Sequence, residues 1–275
     1  MKQTINGVNY SYTDVGTGEP ILLLHGFTGS KETWKTAIND LSNQYRVIAL
    51  DLLGHGETSS PLDEGRYQMK EAANDIREFL DTLEIKSVHL LGYSMGGRLA
   101  LYFALHYPTY ITSLILESCT PGLPKIEDRL ARRESDETLA TFILENGIPA
   151  FVEKWENVPL FQSQKSLPAK RQEEIRKGRL KQVPIGLSNS LKGMGTGVQP
   201  SLWEEINQIT APTLLICGEL DEKFCDIMEK MKKRMNSAHL EKVLNAGHAI
   251  HVEQEGKFVT IVSGFLNHIE KERFR

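Results

Sequence analysis

A serine set among glycines, Gly92-Tyr93-Ser94-Met95-Gly96-Gly97, closes the apolar run Val88 to Leu91 and opens a second apolar stretch from Leu99 to Ala104. The pattern G-x-S-x-G between a strand and a helix puts a hydroxyl on a sharp turn, and the glycines remove side chains that would strike the neighbouring backbone. A serine hydroxyl is a poor nucleophile and a poor base until a histidine takes its proton. The histidine in turn needs a carboxylate to hold its tautomer and stabilise its cation. Cys217-Gly218-Glu219-Leu220-Asp221 follows the apolar run Thr213 to Ile216 and supplies that acid. Asp221 leads, and Glu219 and Asp226 are alternatives more easily read as surface charges. The histidine is expected in Asn245-Ala246-Gly247-His248, a small-residue turn ahead of a final helix; His251 is the alternative and lacks such a turn. Ser94, Asp221 and His248 would together form a proton relay.

Such a relay needs backbone donors for the oxyanion it generates. Leu22-Leu23-Leu24-His25-Gly26-Phe27 ends another apolar run, where the amide of Phe27 can turn inward, and the amide of Met95 follows the serine directly. His25 reads as a buried histidine satisfying loop carbonyls. Asp51-Leu52-Leu53-Gly54-His55-Gly56 reads as a structural loop rather than a ligand set, because nothing else completes a metal site. The chemistry calls for no metal and no organic cofactor.

These residues need a frame. Apolar runs at Ile21 to Leu24, Val47 to Leu50, Val88 to Leu91, Leu114 to Leu116 and Thr213 to Ile216 each end at a polar or small residue. Runs apolar at every position are strands buried on both faces, as in a parallel sheet, and the stretches between them supply the helical crossovers. Helical spacing predicts helices at about 33–43, 68–83, 95–107, 224–235 and 255–271, and the N-terminal sixteen residues alternate as a strand hairpin does. Between about Pro121 and Pro200 the strand rhythm disappears. The chain becomes helical and charged, with breaks at Gly147, Pro149, Pro159, Pro168 and Pro184. The expected organisation is an α/β core domain from 1–120 and 201–275 with an inserted helical cap at 121–200.

At 275 residues and 40% hydrophobic the chain can bury a full core. Its net charge of −4 argues against a general nucleic-acid binder. From Lys125 to Lys181 twelve Lys and Arg stand against ten Asp and Glu, so the cap is mildly basic on an acidic body. Three irregularly spaced cysteines, Cys119, Cys217 and Cys225, suit a reducing interior. With no membrane-length apolar run and no signal-like N-terminus, a cytoplasmic protein acting on a small molecule is expected, a monomer or weak homo-oligomer without membrane insertion.

HGFTGS, DLLGHGETS, GYSMGG, GELD and AGH, in that order, resemble the α/β-hydrolase superfamily over the whole chain except the cap. That fold hosts esterases, C–C hydrolases, lyases and receptors, so it leaves the reaction open. GYSMGGRLALYFALHYP, ARRESD, WENVPLF and above all LKGMGTGVQPSLW resemble one family in particular, the 2-succinyl-6-hydroxy-2,4-cyclohexadiene-1-carboxylate synthases of menaquinone biosynthesis. The resemblance implies a lyase that removes pyruvate from a tricarboxylate, with the triad acting as a base on carbon. It also implies substrate contacts from Arg98, one helical turn beyond the serine at the mouth of the pocket, and from Arg132 and Arg179, with Tyr93, Trp155 and Phe161 lining the pocket. Arg133, adjacent to Arg132, is the alternative contact. A carboxylesterase or C–C hydrolase working through an acyl-enzyme is the competing activity, and a receptor with an unused pocket is a third.

Overall fold

The computed structural model describes residues 1–273. Among these residues eight strands form one sheet: β1 (Lys2–Ile5), β2 (Val8–Val15), β3 (Pro20–Leu24), β4 (Arg46–Leu50), β5 (Val88–Tyr93), β6 (Ile111–Glu117), β7 (Thr213–Gly218) and β8 (Ala238–Val243), in the order β1-β2-β4-β3-β5-β6-β7-β8. The hairpin β1–β2 and the β2–β4 pair are antiparallel, and every later pair is parallel.

The central runs are buried on both faces, as their continuous apolarity predicts. Ile21 and Leu23 face Trp34 and Phe258 on one side, while Leu22 and Leu24 face Phe79, Leu99 and Phe103 on the other. Helices cover both sides: α1 (Lys35–Leu41), α2 (Met69–Thr82) and α3 (Met95–His106) before the long excursion after β6. They are followed there by α4 (Ile126–Trp155), α5 (Ala169–Leu180) and α6 (Pro184–Met194), and then by α7 (Glu222–Arg234), α8 (Ile250–Glu253) and α9 (Glu255–Arg273). The five helices read from spacing all fall within a few residues of observed ones. The edge strand β8 was not anticipated: in Ala238-His239-Leu240-Glu241-Lys242-Val243 only Val243 is buried, so no continuous apolar run marks it.

Between β6 and β7 no strand occurs among the described residues. Here α4 breaks at Gly147, where φ is 76°, with Pro149 just beyond. Helices α4 and α6 carry an apolar cluster of their own, including Ala140, Ile143, Phe151, Leu187 and Leu191, which meets the body through Phe27.

The chain leaves β3 for β4 on one side and returns to β5 on the other. Connections diverge there, opening a crevice at the carboxyl ends of β3 and β5, where ligands of open α/β sheets characteristically bind. Leu24 at the end of β3 is in register with Gly92 of β5, and Tyr93 with Glu117 of β6.

Candidate active site

Ser94 follows β5 directly and starts α3, with φ 49° and ψ −107°. A side chain held at positive φ is strained, and such strain persists only where surroundings over-determine it. Here the Ser94 amide donates to the Glu117 carbonyl at 2.8 Å. A Cβ at Gly92 would collide with the backbone of Gly96 and Gly97, and one at Gly96 with the carbonyls of Leu24 and His25. The glycines thus let α3 lie directly against β3 and β5.

Four strand ends meet around this turn. His248, on the loop after β8, holds Nε2 3.0 Å from Ser94 Oγ and Nδ1 2.6 Å from Asp221 Oδ2. Asp221 caps α7 after β7, its Oδ1 accepting from the Phe224 amide at 3.4 Å. Serine, histidine and aspartate are therefore in line for proton transfer, with histidine and aspartate buried. Glu253 fixes the histidine loop by accepting from the amides on either side of His248, Gly247 at 2.6 Å and Ala249 at 3.3 Å. The alternatives lie elsewhere. Asp226 and Glu219 are exposed, Glu219 accepting from the Asn245 amide at 3.2 Å. His251 is buried with its Nδ1 2.8 Å from Glu117 Oε2, its ring tilted against Trp34 and edge-on to Tyr93.

The loop after β3 brings Phe27 to the same place. The Gly26 carbonyl accepts from the Gly29 amide at 3.0 Å and lies 2.8 Å from His25 Nδ1. Because a trans peptide is planar, the Phe27 N–H of that same unit points the opposite way, out of the turn. His25 Nε2 accepts from the Leu52 amide at 3.0 Å, so Nδ1 carries the proton in this network. Burial lowers the His25 pKa and keeps the ring neutral. Among the described residues the Phe27 and Met95 amides have no protein acceptor, which leaves both available to a bound oxyanion.

A cavity of about 440 Å³ opens over Ser94 and His248. Phe27, Tyr93, Met95, Trp155 and Phe161 contribute to its wall, and so do Arg98 and Arg132. Arg98 lies deeper than a mouth position, only 8% exposed. Its Nη1 donates to the Met194 carbonyl at 2.7 Å and to Gln199 Oε1 at 2.8 Å. The other three guanidinium hydrogens have no protein acceptor among the described residues. Burial, and then the charge of Arg132, push Arg98 down to about 10, which leaves it protonated at neutral pH. Arg132 is half-exposed, its Nε donating to Asp136 Oδ1 at 2.8 Å. Asp136 is 4% exposed, and burial raises its carboxyl pKa against the pull of Arg132. Arg133 turns away, paired with Glu137 on the exposed face of α4.

Arg179 is not part of the cavity wall. It is buried one layer back, its guanidinium 4.7 Å above the Phe161 ring and Nη2 donating to Gln164 Oε1 at 3.0 Å. The Phe161 ring it lies against is itself part of the cavity wall. Gln199 and Asp136, which hold the two arginines, were not anticipated. Gln199 lies within the quoted LKGMGTGVQPSLW run, and Asp136 stands four residues after Arg132, the spacing of a helical ion pair. Among the described residues no group of three or more His, Cys, Asp or Glu side chains converges as metal ligands would, and no helix is long and apolar enough to cross a membrane.

A switch-point crevice, a serine held at positive φ and a histidine–aspartate pair from two further strand ends define an α/β hydrolase, and the family described as alpha/beta hydrolase fold matches residues 19–255. The chain belongs to that family. Within it, the chain belongs with the 2-succinyl-6-hydroxy-2,4-cyclohexadiene-1-carboxylate synthases. It is 49% identical to a Bacillus subtilis (strain 168) protein provisionally named as such a synthase, over 96% of this chain and 97% of that one. It is 30% identical to the synthase of Photorhabdus laumondii, over 92% of this chain and 87% of that one. The solved structure of MenH from S. aureus superposes with a TM-score of 0.91 at 38% identity, covering 95% of this chain and 98% of that one.

Proposed function

We propose that the protein is a carbon–oxygen lyase that eliminates pyruvate from 2-succinyl-5-enolpyruvyl-6-hydroxy-3-cyclohexene-1-carboxylate to give 2-succinyl-6-hydroxy-2,4-cyclohexadiene-1-carboxylate, a step of menaquinone biosynthesis. The observation that carries the reading is the meeting in one cavity of the Ser94–His248–Asp221 relay and two arginines, Arg98 and Arg132. A relay alone suits any acyl transfer; a relay facing two cations suits a reaction on a polycarboxylate, whose carboxylates pair with guanidinium forks.

The C2 hydrogen of the substrate is acidic because it adjoins the succinyl ketone. Ser94 Oγ, its own proton passed to His248 Nε2, removes it, and Asp221 stabilises the resulting imidazolium. The ketone oxygen becomes an enolate oxygen and accepts from the Phe27 and Met95 amides, each such donor contributing on the order of 3 kcal/mol to lowering the barrier. The electron pair then moves through the ring double bond and breaks the C5–O bond. Enolpyruvate leaves, takes up the proton and becomes pyruvate. No acyl-enzyme forms. Tyr93, Trp155 and Phe161 enclose the ring, Arg98 and Arg132 take carboxylates, and Arg179 engages a carboxylate once Phe161 shifts aside. Residues 121–200 serve as the cap over a core formed by 1–120 and 201–275. Such an enzyme works in the cytoplasm as a monomer or weak homo-oligomer.

The reading is tested by quenching the protein during turnover of the enolpyruvyl substrate and weighing it intact. The lyase shows an unmodified chain and free pyruvate, whereas a hydrolase shows an acyl group on Ser94.

A further inference from the structure

Gln182 lies in the short segment between α5 and α6, in the excursion after β6, yet its side chain is buried against the body of the protein. Its Nε2 donates to the carbonyls of Thr28 at 3.2 Å and Gly29 at 3.0 Å, and its Oε1 accepts from the Gly56 amide at 3.2 Å. Both hydrogens of the side-chain amide are therefore used. One residue ties together the loops that follow β3 and β4.

The carbonyls it holds belong to the turn that carries Phe27. That turn is closed by the bond from the Gly29 amide to the Gly26 carbonyl, which fixes the peptide plane of the Phe27 N–H. Thr28, inside it, has φ 67°, a left-handed conformation that a β-branched residue rarely adopts and keeps only under external restraint. The Gln182 bonds supply such a restraint from 154 and 153 residues away in the chain.

We propose that Gln182 is a positioning residue for the oxyanion donor: the excursion, by seating Gln182 on the Gly26–Gly29 turn, aims the Phe27 amide. The inference rests on the role proposed above for that amide. The excursion after β6 thus contributes twice to the site, through Arg132 of α4 on the cavity wall and through Gln182 on the turn that carries Phe27.

The test uses Q182M, which keeps side-chain length and loses the amide. Removal of an oxyanion donor costs about 100- to 1000-fold in rate and misalignment costs part of it; kcat for pyruvate release is expected to fall roughly 10- to 100-fold while KM stays within about threefold. A second readout does not depend on the substrate. Phenylboronic acid accepts a lone pair of Ser94 Oγ into boron, the serine proton passes to His248, and an oxygen of the tetrahedral adduct enters the oxyanion site. Its dissociation constant is expected to rise by a similar factor. Q182E keeps the acceptor for Gly56 and loses both donors, so it must change in the same direction, and it decides the matter if Q182M does not fold. Folded variants that keep kcat and boronate affinity within twofold of the unsubstituted protein, or that change KM alone, overturn the proposal. A protein that releases no pyruvate but loses boronate affinity on Q182M removes the proposed reaction and leaves the positioning role standing.

Discussion

At the scale of single residues, Ser94 and Arg98 carry separable tasks. Ser94→Ala removes the base while leaving the arginines in place, so turnover is expected to disappear with substrate affinity, measured by calorimetry, within a few-fold of normal. Arg98→Ala removes a charge-assisted pairing of about 1.5–3 kcal/mol, and KM is expected to rise roughly 10- to 100-fold. Full activity in that variant would remove Arg98 from the site. Ser94 and His248 were legible because each sits on a small-residue turn after an apolar run, a local signal that one sequence carries. Arg132 could not be separated from Arg133 by sequence, because adjacent helix positions point about 100° apart and only the packed helix shows which one meets the cavity. Asp136 shows in the sequence only as a four-residue spacing to Arg132, and the bond from Arg98 to Gln199 exists only once α3 and the segment after α6 have come together.

At the scale of elements, the site is where four strands stop. Phe27, Ser94, Asp221 and His248 follow β3, β5, β7 and β8, and the close approach of α3 to the sheet sets their spacing. Gly96→Ala places a methyl against the Leu24 and His25 carbonyls. Backbone cannot swing aside as a side chain can, so a loss of about 3 kcal/mol in unfolding free energy is expected, read as a lower urea midpoint. A midpoint unchanged by this substitution would mean that α3 sits further from β3 than described. The buried strands were legible from composition because both faces are apolar. β8 was not, since an edge strand alternates and its half-exposed pattern, Ala238 to Val243, resembles a loop.

At the scale of the whole molecule, the folded state keeps His25 and His55 neutral in its interior. Burial, and then the neighbouring His25, lower His55 from an ordinary 6.5 to about 3, and burial lowers His25 in the same direction. Between pH 6.5 and 3 the unfolded chain therefore binds a proton at His55 that the folded chain refuses. Stability is intact above about pH 6.5 and falls as the solution is acidified, by about 1.4 kcal/mol per pH unit for that group. The urea midpoint is expected to drop between pH 7 and pH 4.5, and to drop less in His55→Asn; a midpoint independent of pH over that range would contradict the buried neutral histidines. Fold class was readable at this scale from the order of the motifs, but the burial of Arg98 and of Arg179 was not, because burial is a property of the assembled chain.

The central claim is that the Ser94 relay performs an elimination on an acidic substrate rather than a hydrolysis. Its most direct test is pyruvate formation from 2-succinyl-5-enolpyruvyl-6-hydroxy-3-cyclohexene-1-carboxylate by the purified protein. The account predicts one pyruvate per substrate consumed, together with the cyclohexadiene product, and none above background with Ser94→Ala. Pyruvate at background with the unsubstituted protein, accompanied by a burst of product from activated esters, would contradict it.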